Sequence, residues 1–346
     1  MTASDAPRRL VVRLPNWLGD VMMALPALSS VRQAFPDVFL ALAATSSIAP
    51  VFEEQTPVRP QQLITVDKAT EAASLREGSF DTILLLTSSF RSAWIARRSG
   101  IPNRWGYAAG ARGVFLTKAV PRPRKVHQSE FYLRLAEGLG MGVGSPKGLR
   151  YTSGDTPPLT PSEGTRLRTL RLFEQLDIAP GTPLVGFAPG AAYGHAKRWP
   201  PDRVARVITR LWQERGIRAV LVGAGGDREA GRAIESSVPP DVNMVNLIGR
   251  TDLRLLMGVI HACRAFVSND SGAMHLAAAL GVPVTAIFGP TNERATAPLG
   301  DHDVLLHPVF CRPCMLRECP IDHRCMKRIS EEDVYGALTR RMDRHV

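Results

Sequence analysis

The chain has 346 residues, of which 45% are hydrophobic and 22% charged, proportions that describe a globular protein and exclude a disordered or fibrous one. This length is sufficient for two domains, each with its own core. A net charge of +11 and a pI near 9.9 indicate an anionic partner: nucleic acid, a membrane surface or a phosphorylated small molecule. Nucleic acid is the weakest of the three, because aromatic residues make up only 6% and no basic run is interleaved with them.

The expected location follows from the apolar runs and the cysteines. No run approaches the roughly 18 apolar residues that span a bilayer. Arg8 and Arg9 precede an apolar run, but Arg13 and Asp20 interrupt any signal-peptide core. We therefore expect a cytoplasmic protein. The odd count of five cysteines argues against a disulfide framework in that compartment.

Strand and helix patterns alternate along the first half of the chain, which predicts a parallel sheet with helices on both faces. Asp20 opens the first predicted helix, and Pro26 inside that helix should introduce a kink or a break. Residues 121–125 form a basic loop stiffened by two prolines. The predicted elements are strands 10–14, 38–43, 63–66 and 82–86 and helices 90–98 and 127–139.

A segment from 140 to about 163 is rich in Gly, Pro, Ser and Thr, lacks periodicity and is interpreted as an interdomain linker. It divides the chain into an N-terminal domain, 1–163 with the linker, and a C-terminal domain, 164–346. Because the second half alternates as the first does, we expect two doubly wound, Rossmann-like α/β domains facing across a cleft. The elements predicted in this half are strands 183–187, 218–222, 244–248, 264–268 and 282–288 and helices 166–176, 201–215, 252–262 and 331–342.

Residues 264–288 read as a β-α-β unit around a phosphate-binding turn. Asp270 stands where a helix N-cap belongs, and Ser271 and Gly272 fall in the first turn. Free backbone N–H groups and the positive end of the helix dipole can bind phosphate there. His275 is four residues after Ser271 and shares its face of the helix. The alternative is a capped helix with an ordinary, partly buried histidine.

Two further groups could act on the same ligand. Asp20, at the start of a helix just after a strand, could serve as a general base, although a carboxylate there commonly only complements the helix dipole. Pro189 and Gly190 open a loop that carries Lys197 and Arg198, whose charge suits a diphosphate. The alternative for this loop is a solvated segment that leads into the next helix.

Weaker signals occur at three places. The segment 223–229 begins like a dinucleotide fingerprint, but Arg228 replaces the third glycine; Glu229 could hold a ribose hydroxyl or simply be exposed. Residues 301–303, Asp-His-Asp, resemble a metal motif and are interpreted as a turn. Four cysteines lie within fifteen residues and could form a structural metal site, but their spacing differs from paired zinc motifs, and we favour no metal. They are Cys311, Cys314, Cys319 and Cys325.

Taken together, these motifs resemble the ADP-heptose:lipopolysaccharide heptosyltransferases of glycosyltransferase family 9, and most of all the heptosyltransferase II subgroup. The similarity extends from residue 10 to about 340, and its order and spacing are more specific than any single motif. The motifs are Pro15-Asn16-Trp17-Leu18-Gly19-Asp20, Leu25-Pro26-Ala27-Leu28, Pro189-Gly190, Ala196-Lys197-Arg198-Trp199-Pro200, Ser268-Asn269-Asp270-Ser271-Gly272, His275-Leu276-Ala277-Ala278, Phe288-Gly289-Pro290-Thr291 and Cys314-x2-Arg317-Glu318-Cys319-Pro320.

This resemblance implies a GT-B fold and inverting transfer of heptose from ADP-heptose to a hydroxyl of the lipopolysaccharide inner core, without a catalytic metal or other cofactor. It makes Asp20 the general base and places Lys197 on the donor diphosphate. The implied donor-binding residues are Gly19, Pro189, Gly190, Lys197, Glu229, Thr251, Leu253, Asp270, Ser271, Gly272 and His275. The basic residues that could meet the anionic acceptor are Arg91, Arg122, Arg124 and Lys125.

The resemblance further implies a monomer in peripheral contact with the cytoplasmic face of the inner membrane. The N-terminal domain would bind the acceptor and the C-terminal domain the nucleotide sugar. Two alternatives remain: another family 9 transferase with a different sugar donor or acceptor, and a non-catalytic protein that binds polyanions through its net charge of +11. A nicotinamide enzyme is disfavoured by Arg228.

Overall fold

A computed structural model describes residues 6–141 and 159–344. The chain divides into two compact units, Met1–Leu149 and Arg150–Val346, and each is built on one six-stranded parallel sheet. The two doubly wound α/β domains predicted from the alternating pattern are therefore confirmed. Most of the predicted linker, residues 142–158, lies outside the described residues.

The described residues of the first unit, 6–141, contain six strands and four α-helices. They are β1 (Arg9–Arg13), α1 (Leu18–Ala34), β2 (Phe39–Ala44), β3 (Gln62–Thr65), α2 (Glu71–Glu77), β4 (Thr82–Leu85), α3 (Phe90–Arg98), β5 (Asn103–Ala108), β6 (Lys118–Pro121) and α4 (Gln128–Gly138). The strand order is β3-β2-β1-β4-β5-β6. Val11 of the central strand aligns with Ala41 of β2 on one side and with Ile83 of β4 on the other. These residues are buried, as expected for a sheet covered on both faces.

Helix α1 runs without a break from Leu18 to Ala34, so of the kink or break predicted at Pro26 the break is wrong. Val21, Leu25 and Leu28 of this helix are buried, and α1 packs against α4. A proline in a helix removes one N–H donor and crowds the preceding turn. Because tertiary packing supplies most of a helix's stability in a folded domain, a helix with this much buried surface continues through one missing hydrogen bond.

Strand β6 was not predicted from the sequence. Among the described strands it pairs with β5 alone, aligning Val120 with Tyr107, and it forms one edge of the sheet. Its four residues contain a lysine and a proline, and it ends at Pro121. An edge strand tolerates proline because one side of its backbone needs no partner, and so short a strand leaves little periodic signal.

The described residues of the second unit, 159–344, contain six strands and eight α-helices. They are α5 (Glu163–Gln175), β7 (Leu184–Ala188), α6 (Pro201–Arg215), β8 (Arg218–Leu221), α7 (Arg228–Ser237), β9 (Met244–Asn246), α8 (Leu253–His261), β10 (Ala265–Asn269), α9 (Gly272–Ala279), β11 (Val284–Phe288), α10 (Glu293–Thr296), β12 (His302–Leu306), α11 (Arg324–Lys327) and α12 (Glu331–Arg344). The strand order is β12-β11-β10-β7-β8-β9. In the described part of both units, no helix is long and apolar enough to span a bilayer.

Two of the three residues in the acidic segment 301–303 belong to a strand, and both of its aspartates pair with an arginine, so the interpretation of the segment as a turn is wrong. His302 and Asp303 are the first residues of β12. Arg341 on α12 is buried and donates from Nε and Nη2 to the Asp303 carboxylate at 2.9 and 2.8 Å. It also pairs with Asp301 and donates to the His302 carbonyl. These contacts fasten the C-terminal helix to the edge of the sheet.

Replacing Arg341 with Met is expected to lower the free energy of unfolding by about 2–3 kcal/mol. Two carboxylates lose their cation, but both are partly exposed, so the loss falls below the roughly 3–5 kcal/mol expected when a fully buried charge loses its partner. Denaturant unfolding measures the change. Arg340→Met at the neighbouring exposed position is the control, and equal stability of the two variants would contradict the role assigned to Arg341.

Candidate functional site

Both sheets share one topological feature. In each, the unit's first and fourth strands lie side by side at the centre, and the connections that leave them run to opposite sides. In open α/β sheets, ligands bind in the crevice that this divergence leaves at the carboxyl ends of the strands. The candidate sites are therefore the loops after β1 and β4 in the first unit and those after β7 and β10 in the second.

The first of these crevices is a pocket of about 410 Å³ in the N-terminal unit. Its walls come from the loop after β1, the start of α1, the loop after β4, the basic loop after β6 and the start of α4. The lining residues are Pro15, Asn16, Trp17, Asp20, Leu86, Thr87, Ser88, Ser89, Arg122, Pro123, Lys125, Val126, Gln128, Phe131 and Tyr132. Its volume suits a small polar ligand such as a sugar.

Asp20 supplies a carboxylate to this pocket from the first turn of α1. The Tyr132 hydroxyl on α4 donates to Asp20 Oδ1 at 3.3 Å, and Gln128 also hydrogen-bonds to Tyr132. Burial raises the pKa of Asp20 above its ordinary value, and the hydrogen bond from Tyr132 partly offsets this rise. Burial and the nearby Asp20 charge also raise the pKa of Tyr132, so its hydroxyl stays protonated and donates. Such a carboxylate is a stronger base than an exposed one.

The four basic residues predicted on the acceptor side lie in different surroundings. Arg122 and Lys125 line the pocket, and Arg124 lies exposed between them on the same loop. Arg91 instead pairs with the buried Glu71 at 3.0 Å. The same Glu71 accepts a hydrogen bond from Arg13 Nε at 2.6 Å. Arg91 is therefore part of a structural ion-pair network.

The crevice of the second unit contains a buried ion pair. Lys197 Nζ lies 2.7 Å from Asp270 Oδ2, with side chains only 12% and 8% exposed. Helix α9 begins at Gly272 with Ser271 at the N-cap position, so the prediction that Asp270 is the N-cap is wrong. The carboxylate of Asp270 faces Lys197 across the gap between the loops after β7 and β10. Asp270 pairs with Lys197 and does not cap the helix, because a nearby lysine ammonium binds a carboxylate more strongly than backbone N–H groups do.

The loop that carries Lys197 is fastened at both ends. Asn269 donates from Nδ2 to the Pro189 carbonyl at 2.7 Å and accepts from the Trp199 backbone N–H at 3.2 Å. Gly190 packs so closely on the buried Asp227 that a Cβ would lie 2.0 Å from its carboxyl carbon. Only glycine fits there. These contacts hold the ammonium group in place at the crevice.

The start of α9 offers backbone N–H groups beside this ion pair. Ser271 and Gly272 are partly exposed, and the Ser271 hydroxyl lies 3.1 Å from that of Ser268. No side chain caps the helix at Ser271, so its first N–H groups remain available to an anionic ligand. His275, on the second turn, is buried.

Three other predicted donor residues lie farther along the same edge of the sheet. Glu229 is exposed in the first turn of α7, after β8. Thr251 and Leu253 are partly exposed between β9 and the start of α8. Because the strands are parallel, these segments all leave the sheet at the edge where Lys197 lies.

The cysteine-rich loop packs against the Lys197 loop. All four of its cysteines line one cavity of about 20 Å³, together with Ala196 and Pro290. The Ala196 backbone N–H donates to the Arg317 carbonyl at 3.0 Å, and the Tyr193 hydroxyl donates to the Met315 carbonyl at 3.0 Å. Within residues 6–141 and 159–344, no group of three or more His, Cys, Asp or Glu side chains is arranged to hold a metal ion.

Sequence reasoning missed Tyr132, Asn269 and Asp227. Tyr132 lies 112 residues from the carboxylate that it contacts, so no local spacing connects them. Asn269 was part of a recognised motif, but its bonds to the loop after β7 depend on the pairing of β7 with β10. Asp227 could have been suspected from the glycines around it, which allow backbone to approach a buried side chain.

Comparison with known proteins identifies the class. The model of glycosyltransferase family 9 (heptosyltransferase) matches residues 71–324, so the chain belongs to this family and is a glycosyltransferase. It is 31% identical to lipopolysaccharide heptosyltransferase 2 of Escherichia coli K12 over 307 residues, which cover 84% of this chain and 85% of the relative. It is 28% identical to lipooligosaccharide heptosyltransferase 2 of Campylobacter jejuni, covering 94% and 96% of the two chains.

Solved structures agree on the architecture. The structure of E. coli ADP-heptose LPS heptosyltransferase II matches with a TM-score of 0.80 and 28% identity, covering 97% of this chain and 99% of that one. A family 9 glycosyltransferase from Veillonella parvula matches with a TM-score of 0.83 and 24% identity, covering 97% of each chain, which supports the fold alone. The two doubly wound units are thus those of a GT-B glycosyltransferase, as the resemblance implied.

Proposed function

We propose that the protein is an inverting glycosyltransferase that moves heptose from ADP-heptose to a hydroxyl of the lipopolysaccharide inner core. The observation that carries this proposal is the pair of crevices: one has a partly buried carboxylate in a sugar-sized pocket, and the other has a lysine beside a free helix N-terminus. The names of the E. coli relatives, which include ADP-heptose and lipopolysaccharide, support the choice of donor and acceptor.

The C-terminal unit binds the donor in this proposal. Lys197 and the N–H groups at Ser271 and Gly272 hold the diphosphate and stabilise the charge that develops as ADP leaves. Fixed cations and amides can supply this stabilisation, so we propose that no metal or other cofactor is required. The other donor residues of this unit would be Pro189, Gly190, Glu229, Thr251, Leu253, Asp270 and His275. Gly19 would be a donor residue contributed by the first turn of α1, in the N-terminal unit.

The N-terminal unit binds the acceptor and activates it. The acceptor oxygen forms a bond to the anomeric carbon of heptose while the bond from that carbon to the diphosphate oxygen breaks. Asp20 takes the proton of the attacking hydroxyl. A single displacement of this kind inverts the anomeric centre. Arg122 and Lys125 line the pocket and would bind the acidic groups of the acceptor. Arg91 and Arg124 do not line the pocket and would meet the acceptor outside it.

We further propose that the protein acts as a monomer at the cytoplasmic face of the inner membrane, in peripheral contact with it. The lipid-anchored acceptor is there, while the nucleotide sugar is soluble. The net charge of +11 would draw the protein to an anionic surface.

A binding screen of nucleotides and nucleotide sugars tests the donor assignment. ADP and ADP-sugars are expected to bind more tightly than uridine or nicotinamide compounds, measured by calorimetry. If uridine nucleotides bind as tightly as ADP, the assignment of ADP-heptose as donor is wrong, and the protein is another family 9 transferase. Steeply salt-dependent binding of any polyanion, with no preference for a nucleotide, would favour the non-catalytic alternative.

Replacing Tyr132 with Phe is expected to move the acidic limb of the pH–kcat/KM profile to higher pH. Asp20 must be ionised to accept a proton, so activity falls as the pH drops through its raised pKa. Removing the hydrogen bond that holds this pKa down raises it further. Tyr107→Phe is the matched control, because its buried hydroxyl donates to the Phe131 carbonyl instead. An unshifted limb in Tyr132→Phe would contradict this contact with the base.

A further inference from the structure

Helix α3 and the turn after β5 present an exposed aromatic and basic surface in the N-terminal unit. Phe90 and Trp94 are 53% and 40% exposed, and Val114 on the neighbouring turn is 79% exposed. With Trp17, these are the four large hydrophobic side chains most exposed in the described part of this unit. We call the group the α3 patch; it consists of Phe90, Trp94, Arg97, Arg98 and Val114.

The spacing along α3 aligns this patch on one face of the helix. Phe90, Trp94 and Arg98 follow each other at intervals of four residues, which places them in a single stripe. The Arg98 guanidinium lies 4.8 Å from the centre of the Trp94 ring, and the Phe90 ring packs edge-on to Phe115 at 5.2 Å. These contacts hold the exposed rings in place without covering them.

Positive charge surrounds the aromatic residues. Arg97 and Arg98 are exposed, and neither forms an ion pair with a carboxylate in residues 6–141 or 159–344. Burial lowers the pKa of the Arg104 guanidinium, and the nearby charge of Arg97 lowers it further. Arg76 donates to the Arg98 carbonyl at 3.0 Å and adds a fourth cation nearby. Within the described residues, none of these four arginines forms an ion pair with a carboxylate, so their positive charge is not locally paired.

We propose that the α3 patch is the surface by which this protein binds an anionic lipid bilayer. Tryptophan and phenylalanine insert at the level of lipid headgroups, and arginines are attracted by anionic lipids, so both parts of the patch fit one partner. A second copy of the chain fits less well, because a two-fold contact through the patch would bring like charges together.

The position of the patch connects it with the acceptor pocket. Ser89 lines the pocket and caps the N-terminus of α3, and Phe90 is the next residue. A protein held to a bilayer by α3 would therefore present this pocket close to the lipid headgroups. This connection rests on the proposed function, whereas binding of the bilayer does not depend on it.

Sedimentation with lipid vesicles tests the proposal. The native protein is expected to bind vesicles made of equal parts phosphatidylglycerol and phosphatidylcholine, and to bind pure phosphatidylcholine vesicles weakly. The double variant Phe90→Ala, Trp94→Ala should lower the partition coefficient about tenfold or more, because two aromatic side chains no longer insert. The double variant Arg97→Gln, Arg98→Gln should lower it about tenfold for the anionic vesicles alone.

The control is Phe310→Ala in the other unit. Phe310 is 82% exposed and lies 5.5 Å from the Arg324 guanidinium, so it reproduces an exposed aromatic residue beside an arginine. Its variant should bind both kinds of vesicle as the native protein does. The arginine variant should keep the native unfolding temperature, because both guanidinium groups are exposed. It therefore tests the patch even if the aromatic variant, which loses the contact of Phe90 with Phe115, is less stable.

Three results would overturn the proposal: no binding of anionic vesicles by the native protein, equal binding by the patch variants and the Phe310→Ala control, or loss of self-association rather than of vesicle binding.

Heptose transfer to a deacylated, soluble acceptor distinguishes failure of the lipid-binding proposal from failure of the proposed function. The patch variants should keep that transfer and lose transfer to acceptor embedded in vesicles. Vesicle binding without transfer to either acceptor would contradict the proposed function and leave the lipid surface supported.

Discussion

Replacing Asp20 with Asn is expected to lower kcat about 10²–10⁴-fold, the range for removal of a general base. The variant keeps the size of the side chain and an oxygen that can accept from Tyr132, but it cannot take a proton from the acceptor hydroxyl. ADP binding should be unchanged, because the proposed diphosphate site belongs to the other unit. Release of ADP in the presence of acceptor measures turnover, and calorimetry measures ADP binding.

Stability provides an independent check on the Asp20→Asn variant. Burial disfavours the Asp20 charge, so a neutral amide at this position should preserve or raise the free energy of unfolding at neutral pH. Asp37→Asn, an exposed acidic position in the same unit, is the matched control and should retain native turnover. If Asp20→Asn keeps more than about one-tenth of native turnover, general-base catalysis by Asp20 is wrong.

Replacing Lys197 with Gln is expected to weaken ADP binding about 10–100-fold and to lower the free energy of unfolding by about 3 kcal/mol. The first effect follows from loss of the cation proposed to hold the diphosphate. The second follows because Asp270 keeps its charge in a site where it is only 8% exposed and has lost its partner. Calorimetry with ADP and denaturant unfolding measure the two effects.

A double variant separates these effects of Lys197. Lys197→Gln combined with Asp270→Asn leaves two neutral amides that can hydrogen-bond, so most of the lost stability should return while ADP binding stays weak. Lys327→Gln, at an exposed position in the same unit, should change neither quantity. Native ADP affinity in the destabilised single variant would show that the ion pair is structural and that Lys197 does not bind the donor.

The sequence predicted the secondary structure well where the periodic signal was long. The helix over 90–98 and the helix over 201–215 have the predicted bounds, and the strands around Asp20 and Ser271 differ by one or two residues. These elements carry apolar residues at regular spacing and end at glycine, proline or polar turns, all of which are local properties. Short or atypical segments, such as β6, lack that signal.

Errors arose where a distant residue determined the role of a local one. Asp270 had the position of an N-cap, but the loop after β7 brings Lys197 to it from 73 residues away. The acidic residues at 301 and 303 looked like a polar turn until α12 supplied the buried Arg341. Local rules assign a carboxylate to the nearest backbone donor, whereas a cation brought in by the fold binds it more strongly.

The amino-acid sequence by itself determined the alternating elements, the two doubly wound units and the loops that carry the candidate catalytic and donor-binding residues. These properties depend on side-chain periodicity and turn chemistry within about ten residues. Only the tertiary structure decided which side chains meet: Tyr132 with Asp20, Asn269 with the Lys197 loop, and Phe90 with Phe115. The reason is that these contacts depend on which parallel strands are neighbours and which helices cover them, and no local spacing in the chain records that choice.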